Sequence, residues 1–128
     1  MTKIVINPIL NRFTLTLSGS FDLEDALHTI REIEHEVTGM KPGFDVITDL
    51  RFLKRLNMQA AMKIKKGTKI LEKRGAKRVV RIVGGSQLAV KVFGKFSSLF
   101  GSKTEVYYVP TLEDAEKILE KSQYAEMV

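Results

Sequence analysis

Pro42-Gly43-Phe44-Asp45-Val46-Ile47-Thr48-Asp49-Leu50 is the stretch on which the fold turns. The Pro-Gly pair punctuates the chain, and Phe44–Leu50 then reads as a strand. Adjacent apolar residues at Val46 and Ile47 put hydrophobic side chains on both faces, which marks a buried, central strand. A helix stands on either side of it. Before it, Leu23, Ala26, Leu27, Ile30, Ile33, Val37 and Met40 follow helical spacing. Asp22 is placed to cap that helix, with Asp25 reaching back to a free amide, and Gly39 helps to end it. After it, Asn57 can cap a helix that runs to Arg74 and stops at Gly75.

Outward from this centre the alternation continues. Lys3–Asn7 and Arg12–Ser18 read as two strands joined by a turn at Pro8 to Asn11. Phe13, Leu15 and Leu17 alternate there with Thr14, Thr16 and Ser18, the period of a half-buried strand. Lys77–Val83 is a further β-rich run, closed by Gly84-Gly85. Ser86 can cap a third helix over Gln87 to Phe100, ended by Gly101. Thr104–Val109 is the last strand, and Thr111 with Asp114 opens a last helix through about Lys121. Ser122 to Val128 is expected to fray. The order β-β-α-β-α-β-α-β-α predicts an α/β protein with a largely parallel sheet, the opening hairpin being antiparallel. We expect one domain over residues 1–128, with a mixed five-stranded sheet and four helices.

The composition fits this reading. The chain has 128 residues, 44% of them hydrophobic and 28% charged, as in ordinary globular proteins. It holds no cysteine, which excludes disulfides, thiolate metal sites and a cysteine nucleophile. No apolar run approaches the roughly 20 residues that span a bilayer. The first residues, soon interrupted by Pro8, do not read as a signal peptide. A cytoplasmic location is the expectation.

The order of elements resembles that of the SpoIIAA-like family, small bacterial proteins related to the anti-sigma-factor antagonists and to the wider STAS domain. The local texture carries the resemblance. Arg12–Ser18 leads through Gly19 into an acidic amphipathic helix, and a Pro-Gly precedes a strand ending in Asp49-Leu50. The stretch Glu105-Val-Tyr-Tyr-Val-Pro-Thr-Leu-Glu-Asp-Ala is similar to the last strand and helix of many such domains. The likeness runs from about Lys3 to Lys121. It implies a compact regulatory or ligand-binding module without catalysis, and some relatives resemble Sec14-type lipid carriers in fold. The family's phosphorylatable serine opens the helix after the third strand. The matching position here is Asn57, within Arg55-Leu56-Asn57-Met58, and it has no hydroxyl to accept phosphate. The resemblance therefore comes without the serine switch.

Charge is distributed unevenly. Twelve basic residues lie between Arg51 and Arg81, among them Arg51, Lys54, Arg55, Lys65, Lys66, Lys69 and Lys73, against the single acid Glu72. That window carries +11, whereas residues 1–50 carry −4 and residues 82–128 carry −1. A block this local favours an acidic partner, be it protein, phosphate-bearing ligand or anionic lipid. On a helical wheel Ala60, Ile64, Gly67 and Leu71 share one face, while Lys65, Lys66, Lys69 and Lys73 gather opposite with Met58 and Met62. One reading is a solvated face that aids solubility. The sharper one is a docking face over these residues and a loop Arg51–Asn57, since methionine adapts to partner surfaces. Self-association is a third, because the first helix carries Asp22, Glu24, Asp25, Glu32, Glu34 and Glu36. Nucleic acid is disfavoured: no aromatic residues interleave the lysines except Phe52, and no nucleic-acid-binding signature is present.

The third predicted helix carries Leu88, Ala89, Val92, Phe93, Phe96, Leu99 and Phe100 on one broad arc. Core packing explains such an arc. The functional alternative is that Phe93, Phe96 and Phe100 line an apolar or acyl-ligand pocket or a dimer contact, including a site at a membrane surface. His28 and His35 stand seven apart, off the spacing of a helical metal pair. Gly84-Gly85-Ser86 matches neither dinucleotide-binding nor Walker patterns. The sequence thus nominates no catalytic residue, no metal ligand and no cofactor.

Overall fold

The computed structural model describes residues 1–87 and 104–127. Strand β1 (Thr2–Asn7) turns back into β2 (Arg12–Phe21), and helix α1 (Leu23–Glu36) follows, ending in a 3-10 turn at Val37–Gly39. Then come β3 (Asp45–Leu56), α2 (Met58–Lys73), β4 (Arg78–Ile82), β5 (Glu105–Val109) and α3 (Leu112–Met127). The sheet order is β1-β2-β3-β4-β5, with β1 antiparallel to β2 and every other pair parallel. This is the mixed five-stranded α/β sheet expected. Among the described residues it carries three α-helices. Beyond Gln87, the helix expected through Phe100 lies outside them, and Phe93, Phe96 and Phe100 with it. The final helix is helical through Met127, past the end near Lys121 that the sequence predicts.

Alternation along β2 builds the main core. Phe13, Leu15 and Leu17 point to one face and pack with Val46 and Leu50 of β3 beneath Ala26 and Ile33 of α1 and Ala60, Ile64 and Leu71 of α2. The opposite face is covered by α3, whose Ala115 and Leu119 rest on Ile47, Val80, Ile82 and Val109. Sandwiched between these layers, Val46-Ile47 is buried on both sides, as its sequence implied. Gly67 lets α2 approach α1 closely: a Cβ there would stand 3.3 Å from Ile33 Cδ1.

The sequence places a loop at Arg51–Asn57, and this is corrected. Arg51 to Leu56 continue β3 as strand, because β2 runs beside it as far as Phe21. The pairing reads Ser18↔Phe52, Gly19↔Leu53, Ser20↔Arg55 and Phe21↔Leu56, with register shifts between Thr16 and Ser18 and between Gly19 and Ser20. Each shift accommodates an extra β3 residue, a bulge that breaks the alternation by which a strand is read. Gly19, at φ 74, supplies the backbone conformation there that a side chain resists. Gly75 does the same after α2 at φ 105, where a Cβ would meet Pro42 Cα at 3.0 Å. Its carbonyl accepts from the Gly43 amide at 2.7 Å, tying the two loops together.

Candidate functional site

Helix α2 is held at its start by Asn57, whose Oδ1 accepts from the amides of Gln59 (2.8 Å) and Ala60 (3.3 Å). Asn57 therefore serves as the helix cap. Ala60, Ala61, Ile64, Gly67 and Leu71 are buried against the sheet and α1. This burial turns the other stripe to water. Met58 and Met62 are 70% and 60% exposed, and Lys66, Lys69 and Lys73 are exposed after them. The outer stripe is thus apolar in the first turns and cationic in the last ones.

Lys66, Lys69 and Lys73 form no ion pair among the described residues. Residues three and four apart on a helix are neighbours, so the ammonium groups of Lys66, Lys69 and Lys73 repel one another. Lys63 and Lys65 are half-buried, and Lys65 is already engaged within the fold. Lys54 and Arg55, exposed at the end of β3, extend the positive surface to the start of α2.

The basic block is not all surface. Arg78 and Asp45, nearly fully buried, are joined by two 2.8 Å hydrogen bonds, from Arg78 Nε to Oδ1 and from Nη2 to Oδ2. Arg81 is 2% exposed, and its Nη1 donates to the Tyr108 hydroxyl at 2.6 Å with the guanidinium 5.5 Å from the ring centre. Burial lowers the Arg81 pKa from its ordinary value, partly offset by Tyr108. Arg51 chelates Asp49 through Nε (3.0 Å) and Nη2 (2.8 Å) and lies over the Phe52 ring at 5.1 Å. Its hydrogen bond with Asp49 raises its pKa against the effect of burial. Arg51, Arg78 and Arg81 are thus engaged inside the molecule. Of the residues nominated for docking, the structure brings Lys54, Arg55, Met58, Met62, Lys66, Lys69 and Lys73 to the surface and gives Arg51, Asn57 and Lys65 internal partners.

Sequence reasoning missed a groove beside this stripe. Leu23, the first residue of α1, meets α2 there, and Gln59, Met62, Lys63, Lys65, Lys66 and Lys69 complete a cleft of about 440 Å³. Its wall is mostly carbon, from Leu23, Met62 and the lysine stems. The only local signal was Leu23 at the helix start; the cleft itself needs two helices side by side. A second groove, of about 620 Å³, lies between α1 and β1 and is lined by His28, Arg31, Glu32, His35 and Glu36. His28 Nε2 there lies 2.9 Å from Glu32 Oε1. Among the described residues no cluster of His, Cys, Asp or Glu could hold a metal ion, and no helix is long and apolar enough to cross a membrane.

The architecture is that of the SpoIIAA-like, or STAS, fold. The structure of the Bacillus cell fate determinant SpoIIAA in its phosphorylated form superposes with a TM-score of 0.61 and 14% identity, over 93% of this chain and 99% of that one. An anti-sigma factor antagonist from Mycobacterium paratuberculosis matches with a TM-score of 0.60 and 16% identity, over 94% of this chain and 95% of its own. At such identities the likeness establishes the fold. No protein-family model matches the chain, and no curated protein sequence does.

Proposed function

We propose that this chain is a non-catalytic, cytoplasmic regulatory module of the SpoIIAA type, which docks an acidic protein partner on the exposed stripe of α2 and the adjoining end of β3. Lys54, Arg55, Lys66, Lys69 and Lys73 supply the charge, and Met58 and Met62 the adaptable apolar contact. The observation that carries this reading is the set Lys66, Lys69 and Lys73: exposed and, among the described residues, without an ion pair, on a helix whose other face is buried. Two architectural neighbours, SpoIIAA and an anti-sigma factor antagonist, support a regulatory role. Regulation does not run through phosphorylation of the residue at the head of α2, since Asn57 has no hydroxyl and its amide oxygen is spent on capping.

The test is a charge reversal of Lys66, Lys69 and Lys73 to Glu. The partner cross-linked to the wild-type chain and identified by mass spectrometry should no longer be captured, and capture by the wild type should weaken as salt rises. The melting temperature should stay within a few degrees, because exposed substitutions shift stability by only about 0.5 kcal/mol each. Undiminished capture by the folded variant refutes the reading.

A further inference from the structure

The docking stripe is not flat. It borders the cleft between the start of α1 and the Gln59–Lys69 stretch of α2, whose lining mixes apolar and cationic side chains. Leu23 and Met62 offer apolar surface, while Lys63, Lys66 and Lys69 add cationic side chains to the lining, of which Lys66 and Lys69 are exposed. We propose that this cleft takes one amphipathic, acidic α-helix of the partner protein, with an apolar side chain seated between Leu23 and Met62 and carboxylates meeting the lysines. This inference rests on the function proposed above and adds the shape and chemistry of the partner.

Spacing argues for a helix. Along α2 the series Met62, Lys66, Lys69 and Lys73 advances at intervals of four, three and four. Neighbours at these intervals stand about 5–6 Å apart, the same separation as carboxylates at i, i+3 and i+4 on a facing helix. The apolar end of the stripe and its cationic end therefore demand a ligand that is apolar at one end of a helical face and acidic at the other. Recognition of this kind reads an amphipathic helix laid in a groove.

Shape separates this occupant from other anionic ones. A bilayer is approached best by a convex apolar ridge, whereas here the apolar residues line a concavity. An acyl chain laid in a cleft open to solvent would stay wetted along one side. An amphipathic helix brings its own polar roof. Among the described residues no aromatic ring lines the cleft, so these offer no stacking platform for single-stranded nucleic acid.

The probes are four. One is a synthetic helical peptide with leucine at i, i+3 and i+4 and glutamate at i+7, i+11 and i+14 of the same face. Another is an isomer of the same composition, scrambled to remove the stripe; the others are oleate and vesicles of phosphatidylglycerol. Binding is read by fluorescence anisotropy, or by sedimentation for vesicles. The striped peptide should bind at least about tenfold tighter than its isomer, a difference of about 1.4 kcal/mol. Met62→Ser, at a 60% exposed position, should erase most of that preference without unfolding the chain. Lys66→Glu with Lys69→Glu should abolish binding of both peptides. If the two peptides bind equally and only charge reversal matters, the groove inference is overturned and the docking face survives. Preference for oleate or vesicles over the striped peptide overturns the partner class. Binding that ignores charge reversal overturns the groove and the proposed function together.

Discussion

Arg78 shows what a single residue contributes when its environment is decided elsewhere in the chain. Its guanidinium forks onto Asp45 with both side chains almost wholly shielded from water. A paired buried charge need not add stability relative to an apolar pair, but removing one partner strands the other. Arg78→Met should therefore destabilise the protein by about 3–5 kcal/mol, read by urea unfolding. A loss below about 1 kcal/mol, the usual value of an exposed pair, would mean that water reaches Asp45. Asp25 poses a different case, a half-buried carboxylate at the head of α1. Its Oδ2 accepts from the Asp22 amide at 3.0 Å, and that hydrogen bond is the main reason its pKa is lowered. A depressed folded-state pKa stabilises the fold above the ordinary carboxylate value and ceases to do so as pH falls through the depressed one. The melting-temperature gap between wild type and Asp25→Ala should accordingly be full at neutral pH and close in acid, below the usual 3.8. A gap that persists unchanged at low pH would assign the effect to geometry instead of charge.

Among the described elements, α2 buries a stripe of small and apolar residues and turns Lys66, Lys69 and Lys73 to water, and Gly67 permits its close packing. Glycine in mid-helix costs about 1 kcal/mol relative to alanine. Against this, a Cβ would stand 3.3 Å from Ile33 Cδ1, a side-chain end that must give by a few tenths of an ångström, and at ordinary contact, 3.5 Å, from Ile30 Cγ1. The two effects nearly cancel, so Gly67→Ala should change stability by less than about 1 kcal/mol. Gly67→Leu should cost about 1–3 kcal/mol by forcing α1 away from α2. Equal stabilities for the two variants in chemical denaturation would show that the helices are less closely packed than this. Leu23 would move with α1, so Gly67→Leu should also reshape the cleft. Most of α2 was legible beforehand: its Asn57 cap, its buried stripe of small residues and its stop at Gly75 all depend on neighbours within a turn or two. The end of β3 was not legible, because two bulges against β2 break its period and hide the strand as a loop.

At the scale of the whole molecule the decisive quantity is where the net +6 resides. A count along the chain places +11 between Arg51 and Arg81, but folding divides that block. Arg78 and Arg81 go into a β4 buried at every position, and Arg51 is held by Asp49. Lys66, Lys69 and Lys73 of α2 remain outside. The field seen by a partner is therefore narrower than the sequence implied and concentrated along one helix face, which is why the triple reversal at Lys66, Lys69 and Lys73 is the discriminating variant. Element order, caps and the buried centre at Val46-Ile47 came from the sequence by itself, because hydrophobic period and capping are properties of residues close along the chain. Which cations face water, and that Leu23 and Met62 share a cleft, were decided only by the tertiary structure. Asp45 neutralises Arg78 across a parallel register spanning 33 residues, and a pairing between strands so far apart leaves no trace in local pattern.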